Sequence, residues 1–118
     1  MKKIEAIIRP EKLDDVKEAL KTIGYPGMST VRIEGHGQQK GKTEQFRGRE
    51  FKVEFLSKVK IEIIAKDEDI ERITKTIVEA ARTGEIGDGK IFISEVINTI
   101  RIRTGEEGGS AIDITSQK

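Results

Sequence analysis

The chain has 118 residues, 35% hydrophobic and 36% charged, which allows one domain with a modest core and favours further burial between copies. Its net charge of +1 gives no global attraction to nucleic acid or to an anionic membrane. With no cysteine there is no disulfide, thiolate metal site or cysteine nucleophile; no signal-peptide pattern or long apolar run is visible, so a soluble cytoplasmic protein is expected.

In chain order, Lys3 to Ile8 alternates as a strand, with Ile4, Ala6 and Ile8 on one side and Glu5, Ile7 and Arg9 on the other. Pro10 then opens a helical segment whose Leu13, Val16, Leu20 and Ile23 share one face, with Gly24 as its stop. Met28 to Glu34 reads as a second strand. Residues 37–52 lack clear periodicity and exceed an ordinary hairpin turn, which points to a mobile protein-recognition loop. Lys40, Lys42, Arg47, Arg49 and Lys52 interleaved with Phe46 and Phe51 also suit a single-stranded RNA platform, against which the near-neutral charge argues.

The pattern then repeats. Val59, Ile61 and Ile63 alternate with Lys60, Glu62 and Ile64 in a third strand, and Asp67 and Asp69 are acidic helix-start signals. Ile70, Ile73, Ile77 and Ala81 line one helical face, Gly84 is the expected stop, and Ile91 to Ile97 is a fourth strand. The order β-α-β-β-α-β predicts an α+β, ferredoxin-like sandwich with both helices on one face of an antiparallel sheet. The other face, with Glu5, Ile7, Arg9, Glu62 and Ile64, is either solvated or buried in an oligomer.

Gly84 to Lys90 formally satisfies G-x-x-x-x-G-K. Ile91 stands where a P-loop has its magnesium-binding Ser or Thr, however, and the loop precedes a strand instead of opening a helix. What remains is a glycine-rich loop able to turn N–H groups towards an anion, with Lys90 at its rim; the plainer reading is a helix stop followed by a turn. Arg101 and Arg103, two apart in an expected extended segment, would point to one side and fork onto phosphate oxygens, or would merely charge an edge strand. His36 has no nucleophile or second ligand identifiable around it and reads as incidental. The polar tail 106–118 is expected to fray, at least in part.

The run Thr83 to Ile93, with Lys3–Ile8, Lys12–Val16, Val59–Ile63 and Ile100–Glu107, resembles the PII family of nitrogen-regulatory signal proteins from Met1 to about Gly105. The resemblance implies a homotrimer with sheets facing inward and ATP or ADP in the clefts between subunits. Ile7, Ser29 (usually Thr in relatives), Gly35, Glu62 and Ile64 would surround adenine and ribose, and Gly37, Gln39, Gly87, Asp88, Gly89, Lys90, Arg101 and Arg103 would complete the nucleotide site. Gln39 would ligate Mg2+; 2-oxoglutarate would chelate the same ion, with Gly41 beside it and Lys58 on its distal carboxylate. The loop at 37–55 would respond and select targets.

Arg47 would enter the pore of an ammonium channel, bringing the protein to the membrane through that partner alone; glutamine synthetase, a nitrogenase-related protein or a transcription factor are other targets the family implies, and no direct nucleic-acid contact is expected. Two departures matter. Phe51 replaces a tyrosine that many relatives uridylylate, and Arg49 stands where others carry a phosphorylated serine, so regulation by metabolites alone is expected. Gln38 also replaces a common arginine. An enzyme reading fares worse, for no magnesium-binding Ser or Thr follows Lys90 and no positioned base is evident.

Overall fold

A computed structural model describes residues 1–25, 27–38, 44–46, 49–51 and 53–112, with the backbone alone at 35–38, 44–46, 49–51, 53–56 and 110. Strand β1 (Lys2–Ile8) leads through a 3-10 turn into α1 (Leu13–Thr22), followed by β2 (Ser29–Gln38), β3 (Glu44–Phe46), β4 (Arg49–Phe51), β5 (Val53–Ala65), α2 (Ile70–Ala81) and β6 (Lys90–Glu95). The main sheet has the order β2-β5-β1-β6 with every pair antiparallel. This is the split βαβ arrangement that the repeated pattern predicts.

The core forms where the two periodicities meet. Ile4, Ala6 and Ile8 of β1 and Val59, Ile61, Ile63 and Ala65 of β5 are buried against Val16 and Leu20 of α1 and Ile70, Ile73, Ile77 and Ala81 of α2. Alternation sends each strand's apolar set to the helices, and each fully buried isoleucine contributes about 1.5–3 kcal/mol. The end of α1 is a Schellman motif. Gly24 at φ +92° lets the Tyr25 N–H reach the Leu20 carbonyl at 2.8 Å, while the Gly24 N–H reaches Lys21 at 3.0 Å.

Three local expectations change. First, α2 stops at Ala81, three residues before Gly84, because Arg82 is already extended; Gly84 belongs to the following loop. Second, β2 and β5 run on into the segment expected to be an irregular loop. Gly37 faces Glu54, Gln38 faces Val53, and β3 pairs with β4 in a separate two-stranded sheet. Phe51, Val53 and Phe55, each two residues apart, carried that signal in the sequence.

Third, Arg101 and Arg103 do not share an extended segment. Residues 101–105 form a turn closed by the Gly105 N–H on the Arg101 carbonyl at 2.7 Å and by the Arg101 N–H on the Glu106 carbonyl at 2.8 Å. Gly105, at φ +72°, permits the tight return that a straight strand does not need. Among the described residues, no helix is long and apolar enough to cross a membrane.

Candidate functional site

The loop between α2 and β6 is built around one carboxylate. Asp88 accepts the Thr83 N–H at 2.9 Å and the Gly84 N–H at 2.8 Å, and the Thr83 hydroxyl donates to it as well. From the end of β1, Arg9 donates through Nε to Asp88 at 3.0 Å and through Nη2 to the Ile86 carbonyl at 2.9 Å. The Thr83 hydroxyl above all, then backbone N–H groups and Arg9, hold the Asp88 carboxyl well below the usual carboxylate range. The Asp88 side chain thus stabilises the loop from within.

The glycines of the loop are there for space as well as for torsion. Gly87 and Gly89 sit at φ +104° and +101°, where L side chains are strained. A Cβ on Gly89 would lie 1.7 Å from the Ile7 carbonyl oxygen, and one on Gly87 would lie 3.2 Å from Nη2 of Arg9. Lys58 Nζ donates to the Gly87 carbonyl from the other side. Burial, and then the charge of Arg9, push the Lys58 pKa down. Lys90, the first residue of β6, is exposed and pairs across the sheet with Ile7.

The expected binding residues fall into separate concavities of the one chain. Ser29 and Glu62 face each other on β2 and β5 and, with Ile64, line a cavity of about 690 Å3 that also includes Tyr25, Arg72 and Ala111. Ile7, Asp88, Gly89 and Lys90 line a second cavity of about 220 Å3 beside α2. Gly87 and Lys58 line a third of about 150 Å3 with Arg9 and Glu11. Gly35 and Gly37 lie on the β2 ladder opposite Leu56 and Glu54. Gln39, Gly41 and Arg47 lie outside the described residues.

Arg101 is turned inward. Its Nη2 donates to the Ala111 carbonyl at 2.9 Å and Nη1 lies 3.6 Å from Glu106, whereas Arg103 is exposed. The start of the tail is therefore ordered: residues Gly109–Ile112 form a 3-10 turn, and Ala111 and Ile112 help to line the large cavity. Residues 113–118 lie outside the described part.

Sequence reading missed Arg9 and Thr83 as parts of this site. Arg9 looked like one more charge on a mixed sheet face, and its contact with Asp88 spans 79 positions, too far for any local pattern to signal.

The open sheet face carries a second constellation. Lys3 lies 3.2 Å from Glu5 and 3.9 Å from Glu62, while Lys60 lies 3.3 Å from Glu62 and 3.9 Å from Glu5. The four charges alternate in sign. Beside them Val31 and Phe92 are each about half exposed.

Known proteins fit this arrangement. The family model for nitrogen regulatory protein P-II matches residues 1–106. The chain is 55% identical over 112 residues to the nitrogen regulatory protein P-II of Pasteurella multocida, and equally to P-II 1 of Escherichia coli K12 and P-II of Klebsiella oxytoca; each alignment covers 95% of this chain and 100% of the relative. The repeated βαβ units, the glycine loop before β6 and this similarity along almost the whole length lead to one assignment: the chain belongs to the P-II family of nitrogen regulatory proteins.

Proposed function

We propose that this protein signals nitrogen status as a homotrimer, binding ATP and ADP competitively at shared intersubunit sites and 2-oxoglutarate only together with MgATP. The observation that carries this reading is the division of Ser29, Glu62 and Ile64 from Ile7, Gly89 and Lys90 between two cavities. One nucleotide touching both groups calls for two copies, one offering its large cavity and the other its glycine loop. The half-exposed Val31 and Phe92 on the open face, and Ile97 and Ile102 left almost wholly exposed on one chain, supply apolar surface for that assembly.

The chemistry of the loop suits an anion. Gly87 and Gly89 allow close backbone approach, and Lys90 adds an exposed cation. Among the described residues no group of three His, Cys, Asp or Glu side chains gathers to hold a metal. Mg2+ would arrive on phosphate oxygens, as suits a hard cation that keeps much of its oxygen shell, with Gln39 as its protein ligand. Lys58, partly buried and cationic, would take the distal carboxylate of 2-oxoglutarate.

Ligand occupancy would then set the shape of the 37–55 segment and through Arg47 the hold on an ammonium channel, with cytoplasmic protein reaching the membrane only by that contact. Phe51 has no phenolic oxygen, so control by uridylylation at that position is absent and the metabolites act alone. A related regulator of glutamine synthetase, nitrogenase or a transcription factor, with little response to 2-oxoglutarate, is the competing reading; it differs in the same experiment. Calorimetry with MgATP, MgADP and 2-oxoglutarate should give keto-acid binding only in the presence of MgATP. Keto-acid binding without nucleotide, or none under any condition, rejects the proposed coupling.

A further inference from the structure

The peptide planes of the glycine loop are aimed from behind. Arg9 Nη2 takes the Ile86 carbonyl and Lys58 Nζ takes the Gly87 carbonyl. In a trans peptide the N–H points opposite to the C=O, so these contacts turn the Gly87 and Asp88 N–H groups away from the two cations. The turn over Ile86 and Gly87 brings the Asp88 N–H back towards the Glu85 carbonyl, while the Gly87 N–H makes no backbone hydrogen bond to another described residue. Arg9 goes further than Lys58, because its guanidinium also binds the Asp88 carboxylate that ties down the Thr83 and Gly84 amides. A planar fork spanning a carboxylate and a carbonyl fixes both at once, which a point-charge ammonium does not do. The guanidinium occupies the space that a side chain at Gly87 would need.

Resting on the nucleotide reading above, we propose that Arg9 is a positioning residue for the phosphate site. By bridging Asp88 and the Ile86 carbonyl it holds the Gly87 amide ready for a phosphate oxygen, without touching the nucleotide. The loop is thereby preorganised, and the cost of ordering it is not charged to ligand binding. A glycine-rich segment without this brace would sample many backbone states, because glycine gains the most freedom when released.

The test compares ADP binding by calorimetry in the unsubstituted protein, Arg9→Met, Arg9→Lys, Asp88→Asn and the double variant Arg9→Met/Asp88→Asn, with amide hydrogen exchange measured on each without ligand. Arg9→Met and Asp88→Asn should each weaken ADP by about tenfold or more, the value of a lost charge-assisted hydrogen bond. The double variant should be no weaker than the worse single one, since the two residues act as one unit. Arg9→Lys should recover only part of the affinity. Faster exchange should be confined to residues 83–90.

ADP affinity unchanged in Arg9→Met overturns the proposal. So does weakened binding accompanied by faster exchange throughout β1, β5 and α2, which would make Arg9 a residue of general stability. Failure of the unsubstituted protein to bind ADP at all rejects the nucleotide reading itself, and this inference with it.

Discussion

The backbone of Gly89 is packed onto the carbonyl oxygen of Ile7, so closely that a Cβ on Gly89 would stand 1.7 Å from that oxygen and 2.8 Å from its carbon. The glycine loop is thus seated on the end of β1, and the residue that gives the loop its turn also fixes its height above the sheet. Gly89 is at φ +101° in addition, so substitution meets both a strained torsion and a backbone clash.

Gly89→Ala is expected to lower stability by at least about 2 kcal/mol from these two sources combined, and to reduce ADP affinity more than its stability loss would explain. Urea unfolding and calorimetry on the same preparation measure the two effects. Near-normal values in both would mean that the loop can lift off Ile7 freely.

Acid should loosen the loop through Asp88. The folded carboxyl is held below its ordinary range by Thr83, Gly84 and Arg9, so between the folded and unfolded values the unfolded chain binds more protons and stability rises with pH. The contribution is fully present above the ordinary carboxylate pKa of about 3.9 and is lost as pH falls through the depressed folded value. The stability difference between the protein and Asp88→Asn should therefore shrink as pH is lowered from 6 towards the acid limit. A difference independent of pH would contradict it.

Lys58 titrates in the opposite region. Burial and Arg9 lower its folded pKa, so above that value the unfolded chain again holds the extra proton, and stability contributed at this site rises as pH climbs towards the unfolded lysine value of about 10.4. Lys58→Met should remove that slope from the unfolding profile. It should also abolish 2-oxoglutarate binding with MgATP, while weakening ADP less than Arg9→Met does, since one hydrogen bond to Gly87 is lost in place of two contacts.

Charge reversal on the open sheet face tests the assembly. Lys60 sits between Glu5 and Glu62, so Lys60→Glu would place three carboxylates together. If the face packs against two further copies, like charges removed from water cannot be relieved by solvent, and the trimer should dissociate. Light scattering after size exclusion should report monomers for Lys60→Glu and trimers for the parent chain. An intact trimer in Lys60→Glu would mean that this face is not the buried one.

In the core, Ile73→Ala should cost about 2–5 kcal/mol by urea unfolding, because Ile73 is fully buried between helix and sheet. Ile97→Ala, at a position almost wholly exposed in one chain, should cost little in a monomer and appreciably more in an assembly that covers it.

Much of this architecture could be read from residue order. The alternation of Ile4, Ala6 and Ile8, the helical spacing of Ile70, Ile73 and Ile77, and their repetition along the chain are local signals, since side-chain period alone assigns each residue to a face. The glycine loop was legible as well, because its composition declares a backbone that must turn. Gly84 was misjudged as a helix stop, and the segment around Phe51 and Val53 as irregular, since where a helix ends or a ladder continues depends on which partners arrive from elsewhere in the chain.

The tertiary structure alone decided how the charges are used. Asp88 was expected to help complete the nucleotide site, and its carboxylate is the knot inside the loop; Arg101 was expected in an extended segment with Arg103, and its guanidinium is turned onto Ala111; Arg9 looked like one more charge on a mixed sheet face and braces the Ile86 carbonyl. Apolar burial follows short repeats that sequence displays directly. A charged side chain's partner is set by distance in space, and here the decisive contact joins residues 79 positions apart. The residue types thus mark a glycine-rich turn from sequence alone, whereas the contacts that brace it form only when β1 is laid beneath it.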